Sequence, residues 1–409
     1  MEILTYGCAV NKSDSEIMRG LAAEAGLEGA DLVVVNTCTV KTPTENKIVK
    51  VLRKLRDEGR AVVVAGCMPA ARPALADEFP GFSFIGTDPS AFVPAARAAL
   101  EGKRAVDIGV EGEKSAMPCI RESPYIGIIQ ISSGCLGSCS YCQTRLARGS
   151  LRSYPAYSIV ERAKEVIGDG AGEIWLTSQD TGAYGKDIGT SLPELLGEVA
   201  EQEGDFRVRV GMMNPNHALS MLPELIDAFD QEKVYKFAHI PVQSGDDGVL
   251  EDMGRRYTVA EFEKVAKAFQ GIGATVSTDL IVGYPTEDEA AFQGSVELLT
   301  RVAPDVVNIT RFWQRPGTPA AGLAALPGSE TKRRSGIMVD TFKRVGKEKN
   351  SGWVGWEGRA YASKAASNGT VTARNDMYKP IIVKGGDEGQ WMRVRVTGST
   401  YYDLRGEIL

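Results

Sequence analysis

Three β-branched runs near the amino terminus, EILTYGC, DLVVVNTC and AVVVAGC, each finish on a cysteine, and helical stretches separate them. Strands that alternate with helices fold into a parallel sheet, because each return to the sheet needs a crossover. In such a sheet the loops at the carboxyl ends of the strands meet along one edge. Cys8, Cys38 and Cys67 therefore converge despite their separation along the chain. The competing reading is three unrelated cysteines packed as hydrophobes. Ser13, with Glu16 three residues on, reads as a capping box opening a helix at EIMRGLAAEAG.

A second alternating series follows a weakly periodic connector at 104–120. Its strand segments are YIGIIQIS, EIWLTS, RVRVGM, YKFAHIPV, TVSTDLIVG and DVVNITRFW. Ser158 with Glu161, Thr258 with Glu261 and Thr286 with Glu289 read as capping boxes of the intervening helices. Six strand–helix units fit an α/β barrel, complete or partial, whose chemistry sits at the carboxyl ends of the strands. Those ends, from SGCLGSC and SQDTGAYG to PVQSGD and QRPGT, are polar or glycine-rich and make a rim. From about residue 346 the chain turns to short, turn-punctuated β segments without a helical period, which predicts a small all-β barrel. The expected division is an amino-terminal unit at 1–103, a linker at 104–120, a core at 121–345 and a β domain at 346–409.

Within the core, SSGCLGSCSYCQTRLARG places Cys135, Cys139 and Cys142 within one short loop, with no fourth cysteine or histidine nearby. Only two histidines, His217 and His239, accompany seven cysteines, so thiolates are the available ligand set. Composition is that of a folded protein, at 43% hydrophobic and 24% charged residues. No run of about 18 apolar residues exists to span a bilayer. The start, MEILTYGC, lacks the basic and long apolar regions of a signal peptide. The expected location is the cytoplasm, where thiols stay reduced and clustered cysteines point to metal or catalysis. A structural zinc asks for four protein ligands. An iron–sulfur cubane held by three cysteines leaves one iron open to bind a reactant.

The spacing Cys-x3-Cys-x2-Cys, with Tyr141 just before its last cysteine, resembles the signature of the radical S-adenosylmethionine (SAM) enzymes. TYGCAVNKSDSE, VVNTCTV, AGCMPA, HIPVQSGDDGVL, STDLIVGYPTED and RPGTPAA resemble the methylthiotransferases in the right order over essentially the whole chain. GCLGSCSYCQTRLARGSLRSYP and EIWLTSQDTGAYGKDIGTSLPELL look like the archaeal and eukaryotic branch, which acts on N6-threonylcarbamoyladenosine beside the anticodon of tRNA. That resemblance implies an amino-terminal three-layer α/β domain, a partial (β/α)6 radical SAM barrel and a carboxyl-terminal TRAM barrel. It also implies two 4Fe-4S clusters, an auxiliary one on Cys8, Cys38 and Cys67 and a radical-generating one on Cys135, Cys139 and Cys142. SAM would serve as methyl donor and as source of a 5′-deoxyadenosyl radical. A sulfur donor and an electron donor such as a ferredoxin or flavodoxin are the further partners implied, and no membrane is.

Tyr141, Ser178, Gln179, Asp180 and Gln243 are candidate cofactor contacts; Ser178–Asp180 equally suit a turn, and Gln243 equally suits a strand end. Arg145 and Arg148 are candidates to grip the threonylcarbamoyl carboxylate, or else form salt bridges within the fold. Cys119 matches no ligand motif and reads as a free thiol.

Residues 332–359 hold eight Lys/Arg against three Asp/Glu, and 360–409 hold seven against five, in a chain of net charge −6. This polarity suits tRNA phosphates held at the carboxyl end, or a solvated helix face. Two competing functions remain at this level. One keeps the chemistry and changes the substrate, to isopentenyl-adenosine in tRNA or a ribosomal protein. The other is an iron–sulfur or zinc protein that binds RNA without turnover.

Overall fold

In the computed structural model, which describes residues 1–109 and 112–409, β1 (Glu2–Thr5), β2 (Leu32–Thr37), β3 (Ala61–Gly66), β4 (Ser83–Ile85) and β5 (Val106–Asp107) form one parallel sheet in sequence order. Alternate residues of β2 serve opposite faces. Val33 and Val35 pack with Ile48 and Leu52 of α2 (Thr42–Asp57). Leu32 and Val34 pack with Met18 of α1 (Ala9–Glu24) and with Phe92 and Ala96 of a later helix. Burial of both faces explains the unbroken LVVV run. The stretch read as a linker at 104–120 supplies β5 at its start and a buried Lys114 further on; its residues 110 and 111 lie outside the described residues.

Six longer strands build the core that follows: β6 (Ile126–Gln130), β7 (Glu173–Thr177), β8 (Arg207–Val210), β9 (Phe237–His239), β10 (Thr275–Val282) and β11 (Val306–Arg311). They pair in parallel as two sheets, β8-β7-β6 and β9-β10-β11. Isolated parallel bridges Val208–Val234 and Met212–His239 join the two into one arc. Among the described residues β11 does not pair with β6, so the arc is a partial (β/α)6 barrel. One apolar core runs the length of the arc, from Ile129 through Leu176, Val210 and Val276 to Val307, against the outer helices.

The carboxyl-terminal strands close a five-stranded barrel, β12 (Glu357–Ala365), β13 (Thr370–Arg374), β14 (Pro380–Lys384), β15 (Trp391–Ser399) and β16 (Leu404–Ile408). A helix, Gly328–Ser351, runs through residue 346, where the β domain was expected to start. Its buried Phe342, Val345, Gly346 and Asn350 recur at helical spacing, a period that the dense charges between them conceal. The small barrel docks beneath the arc at the amino-terminal ends of its strands. Gly172 N donates to Tyr361 Oη at 3.1 Å, Tyr378 Oη to Glu173 Oε1 at 2.8 Å and Arg207 Nε to Asp376 Oδ1 at 2.8 Å.

Of the expected capping boxes, Thr258–Glu261 forms with both of its bonds. Helix α1 instead starts straight after Cys8, leaving Ser13 buried inside it. Ser158 lies within the helix that opens after Pro155, and Asp288 rather than Thr286 caps the helix at Glu289. Among the described residues no helix is long and apolar enough to cross a membrane.

Candidate functional site

Cys8 ends the turn after β1, Cys38 follows β2 directly and Cys67 follows β3 directly. The turn at Gly7 has φ +128°, and a Cβ there would stand 2.9 Å from Asn11 Cγ and 3.1 Å from Cys38 Cβ. Glycine is required both by the backbone and by the closeness of the neighbouring loop. Burial pushes the Cys38 thiol up to about 11, with smaller upward contributions from Cys67 and Cys8. Burial likewise raises Cys67, against the opposing pull of the Arg148 guanidinium beside it. Three sulfurs that repel one another as thiolates share one edge of the sheet.

The second triad sits on the loop after β6. Gly134, at φ +76°, donates its N–H to Gln179 Oε1 at 2.7 Å, and a Cβ on it would strike Ser150 O. Cys135 N donates to Gly149 O at 3.2 Å, closing the base of the loop. Arg145 stands inside the ring, with Nη1 donating to Cys135 O at 2.5 Å and Gly137 O at 2.9 Å. A Cβ on Gly137 would lie 3.3 Å from Cys135 Sγ and 3.8 Å from Cys139 Sγ, so the missing side chain keeps the space between two sulfurs clear. Burial pushes Cys135 up to about 11, with Asp180, Cys139 and Cys142 adding to it. Arg255 Nη1 donates to Cys139 Sγ at 3.2 Å and to Asn214 Oδ1 at 2.9 Å.

The residues that follow the two triads meet. Thr39 Oγ1 donates to Gln143 Oε1 at 2.5 Å, across 104 residues of chain. Buried Arg315, from the QRPGT rim, bonds Gln143 Oε1 (2.7 Å), Thr39 Oγ1 (3.0 Å) and Thr42 Oγ1 (3.0 Å), and pairs with Glu45. A cavity of about 340 Å³ opens beside this strap, lined by Thr39, Tyr141, Cys142, Gln243, Asp279 and Trp313 among others. Gln243 holds φ +73°, a costly conformation for a non-glycine residue, kept by its N–H to Asp279 O (2.8 Å) and its C=O to Ile281 N–H (2.9 Å).

Other expected contacts lie nearby. Asp180, fully buried, accepts from Asn214 N (3.1 Å) and Asn214 Nδ2 (2.5 Å), with His217 Nε2 at 3.6 Å. Ser178 Oγ accepts from Asp180 N at 3.1 Å, and Gln179 is tied to Gly134 as above, so both support the loop. Arg148 is not available to a substrate. Its side chain is 1% exposed and Nη2 donates to Asp14 Oδ2 at 2.7 Å. Arg145 is likewise engaged with loop carbonyls. Of the two readings the sequence offered, Arg148 takes the salt bridge within the fold, while Arg145 forms neither a salt bridge nor a free grip but bonds to loop carbonyls. Cys119 is half-buried beside Glu16, away from both triads.

Asp14, Lys114, Asn214, Arg255 and Arg315 are site residues that no motif in the sequence singles out. Asp14 lies in NKSDSE, read there as a helix start, and Arg255 in GRRYT, read only for Thr258. Among the described residues no set of three or more His, Cys, Asp or Glu side chains is arranged around a single metal ion. Ligands of a cubane sit on different irons and stand farther apart than those of one ion. The clear space at Gly137 and the buried Arg148 guanidinium beside Cys67 and Cys8 suit a bulky, anionic, thiolate-held group.

A family model described as Radical SAM superfamily matches residues 129–299, one described as Uncharacterized protein family UPF0004 matches residues 1–85 and one described as TRAM domain matches residues 361–409. The chain is 44% identical to a probable threonylcarbamoyladenosine tRNA methylthiotransferase of Archaeoglobus fulgidus, covering 99% of this chain and 98% of that one. It is 42% identical to the protein of the same description from Pyrococcus horikoshii, over 100% and 99% of the two chains. A threonylcarbamoyladenosine tRNA methylthiotransferase of Drosophila melanogaster is 37% identical over 100% of this chain and 77% of its own. Among solved structures, the radical SAM methyltransferase TsrM from Kitasatospora setae, with cobalamin and a [4Fe-4S] cluster bound, aligns with a TM-score of 0.56 at 17% identity, covering 76% of this chain and 71% of its own. That likeness bears on the fold alone.

Proposed function

This chain belongs to the threonylcarbamoyladenosine tRNA methylthiotransferase family of radical SAM proteins, and from that premise we propose that it converts N6-threonylcarbamoyladenosine at tRNA position 37 to its 2-methylthio derivative. The observation that carries the reading is the Thr39–Gln143 bond, which ties the loop of one cysteine triad to that of the other at the rim of one pocket. A single radical cluster needs no such partner; transfer of sulfur to an activated carbon does.

Cys135, Cys139 and Cys142 would hold the SAM-binding cluster and Cys8, Cys38 and Cys67 the auxiliary one. When bound, these groups and SAM supply radical chemistry able to break the unactivated C2–H bond, and an iron able to present sulfur to that carbon. The chain's own residues orient and enclose. Arg255 donates to a ligand sulfur and stabilises its negative charge, while Arg145 keeps the loop carbonyls pointing inward. Gly137 leaves room where the reactants lie. Arg315 and Gln143 hold the amino-terminal unit over the barrel mouth, which excludes water from a reactive centre. Gln243 and Tyr141 line the pocket as cofactor or base contacts.

The tRNA is held partly by the small barrel, at the far end of the strands. Pocket-lining Asp279 stands four residues along β10 from Thr275, which borders the small barrel, so at about 3.3 Å per residue roughly 13 Å of strand separates that barrel from the pocket wall. The RNA therefore lies along the side of the arc, and the modified base leaves its stack to enter. An external sulfur donor and a low-potential electron donor, a ferredoxin or flavodoxin, complete the reaction in the cytoplasm.

The test is turnover. Anaerobically reconstituted protein, given SAM, sulfide and reductant, is incubated with an anticodon stem-loop bearing threonylcarbamoyladenosine. Nucleoside mass spectrometry should show the methylthio product. Product on an isopentenyl-adenosine stem-loop and none on this one would overturn the reading.

A further inference from the structure

Three cations line the pocket between the cysteine loops, and two of them lack an acidic partner. Arg315 is engaged with Glu45, Gln143, Thr39 and Thr42. Lys41 is exposed at the amino-terminal cap of α2, and Arg311 is exposed at the last residue of β11. Among the described residues no carboxylate lies within ion-pairing distance of either. The pocket's own carboxylate, Asp279, is already occupied: Oδ1 accepts from His239 Nε2 at 3.0 Å and from Asn308 Nδ2 at 2.7 Å. The Arg311 guanidinium lies 5.5 Å from the centroid of the Trp313 ring, another pocket residue.

We infer that Arg311, assisted by Lys41, binds the carboxylate of the substrate's threonyl group and so selects threonylcarbamoyladenosine over an adenosine carrying an uncharged group. The inference rests on the tRNA reading above and names the residue that enforces it. A carboxylate entering a half-enclosed pocket loses water and needs a charged donor in return. Arg145 and Arg148 are engaged elsewhere, and Arg315 has its own acid, which leaves Arg311 and Lys41. The planar guanidinium offers two parallel donors to one carboxylate, and packing over Trp313 restricts it before the substrate arrives. The two cations come from different units, Lys41 from the amino-terminal unit at the cap of α2 and Arg311 from the barrel. The acid group would therefore also help draw the two together over the base.

The experiment is RNA binding by the full chain without SAM, so that the carboxylate of SAM cannot contribute. Two anticodon stem-loops of one sequence are compared, one with the threonylcarbamoyl carboxylate and one with its neutral carboxamide. Arg311→Gln should weaken binding of the carboxylate RNA about 10- to 100-fold and leave the carboxamide RNA within about twofold. Lys41→Gln should weaken the carboxylate RNA by a smaller factor, and Arg311→Lys should recover part of the loss. Equal losses on both RNAs would make Arg311 a phosphate contact or a structural residue and overturn the inference, as would no loss on either. Should Arg311→Gln fail to fold, Lys41→Gln and Arg311→Lys carry the same comparison. Wild-type turnover on the carboxylate RNA is read in parallel. Its absence counts against the methylthiotransferase reading, while the binding comparison still decides the role of Arg311.

Discussion

Arg148, on the short helix after the second cysteine triad, donates to Asp14 in the first turns of α1 at 2.7 Å, and 134 residues separate them in the chain. The same carboxylate accepts from Lys114 Nζ at 2.6 Å and Gln130 Nε2 at 2.8 Å, all within the protein interior. Burial opposes ionisation of Asp14, but the two cations hold its carboxyl below the usual range. Of the two cations, Arg148 is the one that also faces Cys67 and Cys8.

Removing the shared carboxylate should therefore cost more than removing one of its cations. Asp14→Asn leaves Lys114 and Arg148 buried without a counter-ion and should destabilise the protein by about 3–5 kcal/mol. Arg148→Met leaves a one-to-one pair of Asp14 and Lys114 and should cost less. Denaturant unfolding of the two variants gives the order; a larger loss for Arg148→Met contradicts this account of the network.

Arg315 acts through position. Arg315→Ala frees Thr39 and Gln143 from their common partner and leaves Glu45 unpaired. Methylthiolation should fall at least about 100-fold, since small misplacements of reacting groups cost that much. Amide exchange across Thr42–Asp57 should quicken at the same time. Normal turnover in this variant would show that the strap does not align the triads.

The crowding at Gly7 predicts a selective loss of one centre. Gly7→Val places a branched side chain at φ +128°, against Asn11 and Cys38. Iron content should drop by about half, to about four atoms per chain. A full iron complement in this variant would mean that Cys8 and Cys38 do not share a cluster.

Glu16 supplies a pH-dependent term. Burial, opposed in part by the hydrogen bond from Glu122 N, pushes its carboxyl from the usual 4.5 up to about 7. A raised carboxyl favours the protonated folded state, so stability is lost as pH climbs from about 4.5 to about 7. The full penalty is about 3 kcal/mol. Glu16→Gln keeps the acceptor and removes the charge. It should unfold at a higher temperature than wild type at pH 8 and at the same temperature near pH 4; a pH-independent difference would exclude this origin.

The parallel amino-terminal sheet and the partial barrel were legible because both rest on local patterns: β-branched runs buried on both faces, helices between them, glycine-rich rims. What was not legible came from burial and long-range pairing. Arg148 in TRLARG suits a substrate grip or a salt bridge on local pattern, and only the fold shows that Asp14, 134 residues away, is its partner. Ser13, Ser158 and Thr286 carry a capping pattern that loses to the turns actually made at Cys8, Pro155 and Asp288. Helix Gly328–Ser351 runs past residue 346, where the β domain was expected to begin, because charged residues hide four buried positions. Lys114, in a stretch that looks like a plain connector, is held by a carboxylate exactly one hundred positions away.

Two triads, each of three cysteines, would hold one open cluster apiece on facing loops. Iron and acid-labile sulfide are measured on anaerobically reconstituted wild-type protein and on two triple variants, Cys8/Cys38/Cys67→Ala and Cys135/Cys139/Cys142→Ala. The account predicts about eight irons for wild type and about four for each variant, with sulfide in equal amount. Zinc without sulfide, or a wild-type count of four lost entirely with one triad, would contradict it.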